Sequence, residues 1–230
     1  MQLSLFILLF MAIIADINFA ANTDDVYAGS AVTVMLGSPN WFQNRFSIMI
    51  NQIIISLPED WVVQIFYNPS KKMSLEAVRY PGIQKHIHKG KIKLVEIPEV
   101  MRKKLRKRNL LLSPFFWQNI IAERVLLFGG NSVLCANSPY TIDDFSGYDL
   151  VSGRGTAGLS LRSKSAVLAL IDRKGGDGFA SSTTGSEDFV FKTQLGNVAP
   201  NEVNLRGIPP SVMNFALFNF ICVCVCVLGG

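Results

Sequence analysis

The sequence predicts an α/β domain over residues 26–206, a single, mainly parallel sheet flanked by helices. Three observations predict it. Short β-rich apolar runs alternate with stretches of helical spacing, which is the order of a mainly parallel sheet covered on both faces. The early runs end in loop signatures, Gly37-Ser38-Pro39 and Asn68-Pro69-Ser70. The length of 230 residues fits one domain of about 100–200 residues with terminal extensions.

The elements follow in order. AVTVML (Ala31–Leu36) is β-rich and reads as the first strand. From Trp41 to Leu57, Phe42, Phe46, Ile50 and Ile53 recur at helical spacing, and Pro58 ends the run. WVVQIFY (Trp61–Tyr67) is a second strand and IKLVEI (Ile92–Ile97) a third. SPFFWQNIIAE starts a helix near Ser113, with Pro114 at its first position, where the missing N–H costs nothing. RVLLF (Arg124–Phe128) is mostly apolar, as strands buried on both faces are. Sheets of this kind place ligands at the carboxyl ends of their strands, which directs the search to the loops after Leu36, Tyr67 and Phe128.

Composition bears on the two ends. The chain is 49% hydrophobic and 17% charged, and much of the apolar excess is terminal. Leu3–Ala15 is apolar except for Ser4 and is followed by Ala20-Ala21, the layout of a signal peptide or short signal anchor over residues 1–21. Val212–Leu228 is apolar except for Asn214 and Asn219, and forms an apolar, Cys-containing tail within residues 207–230, read as a membrane span or a core strand. Of the 4 cysteines, Cys222, Cys224 and Cys226 recur at period two, which suits neither an intrastrand disulfide nor a zinc site. These ends imply membrane association through the terminal apolar segments and a location in the secretory pathway, in the Golgi or endoplasmic reticulum membrane or secreted.

The net charge of +5 comes largely from Lys85 to Arg108. Within it, MRKKLRKR (Met101–Arg108) has no interleaved aromatic residues, so it reads as a solvated face or an anion-attracting patch, and nucleic acid is not expected as a partner. His86 and His88 sit among lysines and read as surface residues. No Gly-X-Ser-X-Gly elbow, phosphate-binding Lys loop or His-Glu-X-X-His helix occurs, and Gly175–Gly178 lacks the spacing of a dinucleotide fingerprint.

Three stretches remain: Glu123–Val151, Gly155–Ile171 and Ser186–Phe191. In order they read ERVLLFGGNSVLCANSPYTIDDFSGYDLV, GTAGLSLRSKSAVLALI and SEDFVF. Together with PEDWVVQIFYNPS they resemble the domain of unknown function 5672 family, whose members resemble nucleotide-sugar glycosyltransferases of the type A fold. The resemblance implies transfer of a sugar from a nucleotide sugar to a glycan, protein or lipid acceptor. It also implies a Mn²⁺ or Mg²⁺ ion bridging the diphosphate, held by an Asp before the Ser of the loop after the fourth strand.

Here Asn131 stands in that place, and an amide offers a neutral oxygen where the cation wants a carboxylate. The loop Gly155–Gly158, followed by Leu159-Ser160-Leu161-Arg162, would let the backbone approach the donor, with Gly155, Gly158 and Ser160 as binding residues; the plain alternative is a turn before a strand. Only Ser152-Gly153-Arg154 precede it, fewer residues than the family has there. Glu187 and Asp188 begin a helix; the resemblance makes Asp188, with Glu187 beside it, the acceptor base, and the alternative is helix capping. Asp143 and Asp144 are read as capping and solvation. The expectation is therefore a glycosyltransferase-like enzyme, or alternatively a non-catalytic sugar- or nucleotide-binding relative.

Overall fold

The computed structural model describes residues 27–36, 41–71 (backbone alone over 41–45), 76, 78–102, 106–129, 132, 134, 141–152, 159–176, 179 and 190–191. The described elements run β1 (Gly29–Met35), α1 (Trp41–Ser56), β2 (Trp61–Tyr67), α2 (Pro81–His88), β3 (Ile92–Glu96), α3 (Glu99–Arg102), α4 (Lys107–Leu111), α5 (Pro114–Gln118) and β4 (Arg124–Phe128). A 3₁₀ turn (Asp143–Phe145), β5 (Leu150–Ser152), β6 (Leu159–Ser163) and α6 (Lys164–Arg173) follow. Local chemistry sets several of these boundaries. Ser113 caps α5 by accepting from the Phe116 N–H, with Pro114 in the first turn. Ser163 ends β6 and caps α6 through the Ala166 N–H at 3.2 Å.

The strands form one six-stranded mixed sheet in the order β3-β2-β1-β4-β6-β5. β3, β2, β1 and β4 pair in parallel; β6 runs antiparallel to both β4 and β5. The mainly parallel sheet expected from the sequence is thus a mixed one, with β6 reversed. The reason lies in the connection. Residues 153–158 alone join β5 to β6, whereas a parallel crossover needs about a dozen residues or more.

Each face of the sheet buries its own apolar layer. Ala31, Val63, Ile65, Leu126 and Leu161 meet Phe46, Met49, Ile50 and Ile53 of α1 and Ile83 of α2. On the other face Val32, Phe66, Val125 and Leu127 meet Leu110 and Leu111 of α4, Phe116 and Trp117 of α5, and Val167, Leu170 and Ile171 of α6. Burial on both faces explains why β2 and β4 carry continuous apolar runs. One polar side chain breaks the run in β2. Gln64 is 1% exposed, yet fully engaged: Oε1 accepts from Ser30 Oγ and Ile121 N (both 2.9 Å), and Nε2 donates to Asn119 O at 3.0 Å. It therefore joins β1, β2 and the segment entering β4.

At the start of β1 the backbone lies directly against the indole of Trp61. A Cβ on Gly29 would stand 2.2 Å from Trp61 Cε2, and that ring is itself buried. Gly29→Ala is accordingly expected to destabilise the chain by about 1–3 kcal/mol, as overpacking does. Chemical denaturation of both proteins checks this, and an unchanged midpoint would mean that the ring moves aside freely.

The structure also corrects an expectation. Among the described residues no helix is long and apolar enough to cross a membrane. α1, with 16 residues, spans about 24 Å against a hydrocarbon core of about 30 Å, and it carries Arg45, Asn51 and Gln52. The expected membrane association, and the secretory-pathway, Golgi or endoplasmic reticulum location tied to it, are set aside on this finding. The segments that motivated them, residues 1–21 and 207–230, lie outside the described residues.

Candidate functional site

β1 is the central reference of the sheet. β2 and β3 follow it on one side, while the chain crosses over to place β4 on the other. The order therefore reverses between β1 and β4, and in open α/β sheets a crevice for ligands forms outside the carboxyl ends at such a point. The register brings the relevant ends together: Met35 pairs with Tyr67, Tyr67 with Glu96, Phe128 with Leu159 and Ser152 with Ser160. Because β6 is reversed, its first residue, not its last, lies at this edge. The loops after Met35 and Phe128 and the one before Leu159 thus share one end of the sheet.

Several of these loops are tightly fastened. After β2, Asn68 is 4% exposed; its N–H donates to Met35 O at 3.2 Å and its Oδ1 accepts from Ser70 N at 3.0 Å. After β3, Arg102 donates from Nε to Ile97 O at 2.6 Å and from Nη1 to Ser70 Oγ at 3.1 Å, and it pairs with Glu96. This member of the basic run is largely buried and holds two carboxyl-end loops together, while Arg106 and Lys107 are exposed. After β4, Ser132 N donates to Gly129 O at 3.1 Å, and Ser132 Oγ accepts from Gly129 N at 3.0 Å. Leu134 is then buried, with its backbone bound by Gln52 of α1.

Of the residues singled out in the sequence, Ser160 is described. It is 2% exposed, and its hydroxyl accepts from Arg162 Nε at 2.9 Å. Asn131, Gly155, Gly158, Glu187 and Asp188 lie outside the described residues. Their described neighbours still locate the chain. Gly129 and Ser132 flank Asn131, and Leu159, which follows Gly158, pairs with Phe128. Phe191, three residues beyond Asp188, is fully buried with its ring 5.9 Å from that of Trp117 and 4.5 Å from the Arg162 guanidinium. The sheet thus brings the flanks of Asn131 and of the glycine loop to one edge, and ties the chain after Asp188 to β6.

Gln52, Asn68, Ser132 and Arg162 were not singled out by the sequence reading. Arg162 carried a usable signal. Leu159 and Leu161 share one face of β6, so Ser160 and Arg162 must share the other, and in a sheet covered on both sides that face is buried too.

The charged groups with shifted acidity lie elsewhere. Burial favours the neutral ring of His86 and, with Lys85 and Lys89 nearby, lowers its pKa; its Nε2 bonds Asn51 Oδ1 at 2.7 Å. Burial works to raise the pKa of Glu123, but hydrogen bonds from Ser163 and Ser165, together with Arg124, lower it overall. Glu123 stands next to the first residue of β4, at the opposite end of the sheet, and fastens the start of α6. A shifted carboxylate can mark a functional site, but the place of this one gives it a structural task.

Among the described residues no group of three or more His, Cys, Asp or Glu could hold a metal ion. At the carboxyl edge Glu96 is paired with Arg102, Asn68 Oδ1 is engaged by Ser70, and the Ser132 hydroxyl by Gly129. Asp144 accepts from Thr141 N at 2.7 Å and Thr141 Oγ1 at 3.1 Å, a local bond to the residue just ahead of the 3₁₀ turn, whose N-terminus has no side-chain cap. These described donors do not make the carboxylate-rich set that Mn²⁺ or Mg²⁺ prefers.

A family model described as "Protein of unknown function (DUF5672)" matches residues 91–206. That description names no activity, so the expected transferase label reduces here to family membership. No curated protein matches the chain.

Proposed function

The chain belongs to the DUF5672 family, and from that premise we propose that the crevice between β1 and β4 binds the diphosphate of a nucleotide sugar. On this reading the protein is a binding relative of type A glycosyltransferases. The observation that carries it is the reversal of strand order between β1 and β4, with the glycine-rich segment before β6 anchored by Leu159 beside Phe128. A diphosphate is recognised by backbone N–H groups presented from loops that can approach it closely, and glycines permit that approach. Gly129-Gly130 follow β4 in the sequence and Gly155 to Gly158 precede β6, so glycines adjoin two neighbouring strand ends at this edge. Asn131 in the middle of the first loop offers a neutral amide, so the phosphate charge is met mainly by N–H dipoles.

A second reading, sugar transfer, rests on the Glu187-Asp188 pair and on the burial of Phe191 against β6. A carboxylate on that segment would take the proton of an acceptor hydroxyl as its oxygen bonds the sugar carbon and the diphosphate leaves.

Calorimetric titration of the full chain with uridine and guanosine diphosphate sugars, with and without Mn²⁺, tests the binding reading. Binding with a Kd tighter than about 1 mM, equivalent to about −4 kcal/mol, is expected. It should depend little on Mn²⁺ in the parent and clearly on Mn²⁺ in Asn131→Asp, where a carboxylate adds charge and a second oxygen. Absence of heat with every nucleotide sugar would refute the reading, and identical Mn²⁺ dependence in both proteins would remove Asn131 from the site.

A further inference from the structure

We propose that Arg102 is a positioning residue for the crevice: it sets the turn after β2 against the end of β1 and, through that turn, the affinity for a nucleoside diphosphate. The proposal rests on the binding reading above. Arg102 is the last residue of α3, and its side chain is 16% exposed. Its guanidinium is engaged in three directions. Nε donates to Ile97 O at 2.6 Å, Nη1 donates to Ser70 Oγ at 3.1 Å, and Nη2 pairs with Glu96. The planar fork of an arginine presents such donors on one rigid head, whereas a lysine ammonium is a point charge on a flexible stem.

Every link from Arg102 to β1 lies within the described residues. Ser70, whose hydroxyl Arg102 holds, donates its N–H to Asn68 Oδ1 at 3.0 Å. Lys71 N donates to Asn68 O at 3.1 Å, which closes the turn over Pro69 and Ser70. Asn68 N in turn donates at 3.2 Å to Met35 O, the carbonyl of the last residue of β1. β1 is the strand at which the order reverses, so its end is one wall of the crevice. The end of β3 is tied into the same set, because Ile97 N donates to Tyr67 O at 3.0 Å while Ile97 O accepts from Arg102. Arg102 therefore fixes the turn after β2 to the end of β3, and that turn grips the end of β1. A turn already in place adds no ordering cost when a ligand arrives; one that must be ordered on binding subtracts that cost from the affinity.

The test compares the full-length parent with Arg102→Lys, Arg102→Met and Ser70→Ala. Lys keeps the charge and loses the fork, and Met keeps an unbranched stem and loses both. Ser70→Ala leaves the guanidinium its bonds to Ile97 O and Glu96 and removes its hold on the turn. Three quantities are read: uridine diphosphate affinity by titration, amide hydrogen exchange at Asn68, Ser70 and Lys71, and melting temperature. Affinity is expected to fall about tenfold in Arg102→Met and Arg102→Lys alike, the weight of one or two good hydrogen bonds. It should fall in Ser70→Ala as well. Exchange should accelerate at the three amides of the turn and not over the strands.

Parent-like affinity in Arg102→Lys would overturn the proposal, since the charge alone would then be what the diphosphate feels. Parent-like affinity in all three variants would overturn it while leaving the binding reading intact. A general fall in melting temperature with exchange rising throughout the sheet also overturns it, since that marks a merely structural residue. Ser70→Ala, which removes one hydrogen bond, gives the answer should the Arg102 variants fail to fold. A parent that binds no uridine diphosphate or other nucleotide contradicts the binding reading first, and this proposal with it.

Discussion

Trp117→Ala is expected to cost about 3–5 kcal/mol of stability, the range for truncating a large buried aromatic side chain. For a domain of this size that lowers the melting temperature by roughly 6–20 °C. The indole is fully buried and meets Phe116 edge-on at 5.4 Å and Phe191 at 5.9 Å. Its Nε1 donates to Leu111 O at 2.7 Å, so the truncation leaves a buried carbonyl without this donor as well as a cavity. The Arg162 guanidinium lies 5.9 Å from the same ring, within reach of a cation–π contact. Four parts of the second core layer therefore meet at Trp117: α4, α5, β6 and the segment ending in Phe191. Thermal and denaturant melts of parent and variant give the cost, and a loss under about 1 kcal/mol would mean that this cluster does not organise the layer. Trp117→Phe, which keeps most of the ring volume and loses the hydrogen bond, should fall between the two.

Asp188→Asn separates the two functional readings. If Asp188 is the base of a transfer reaction, turnover should fall about 10²–10⁴-fold, because a neutral amide cannot accept the acceptor's proton. Nucleotide affinity should hold, since the acid would act on the acceptor hydroxyl and not on the diphosphate. A capping role predicts something else: Asn caps a helix about as well as Asp, so stability and any turnover would be retained. Turnover and nucleotide affinity measured side by side give the answer. Full activity in the variant refutes the base assignment, and nucleotide binding without turnover in the parent favours the binding reading.

Much of the strand framework was legible in the residues. The boundaries of β2 and β4 coincide with those read from WVVQIFY and RVLLF, since buried strands announce themselves by unbroken apolar runs closed by turn residues. The helix from Trp41 was legible from its spacing, and the edge that carries the candidate crevice followed from the alternation of elements. The direction of β6 was not read, because a strand's composition does not record which way it runs. The short link from β5 held that information, through the loop-length rule and not through any motif.

The polar fastenings were hidden for a different reason. Gln52 and Gln64 are ordinary residues in sequence, and their roles depend on partners dozens of positions away, such as Leu134 and Ile121. Arg102 was submerged in a basic run whose other members read as solvated. The family resemblance did reach residues that periodicity could not rank, Asn131 and Asp188 among them, but it supplies chemistry only as an expectation to be tested.

Amide hydrogen exchange of the full chain, with and without a saturating nucleotide sugar, tests the central claim most directly, because it shows where the ligand sits without presuming any activity. The account predicts added protection at the end of β1 around Met35–Leu36, over Phe128–Leu134, and at the start of β6 from Leu159. Protection confined to the opposite end of the sheet, around Glu123 and the start of α6, or none anywhere at saturation, would contradict a nucleotide site at the reversal between β1 and β4.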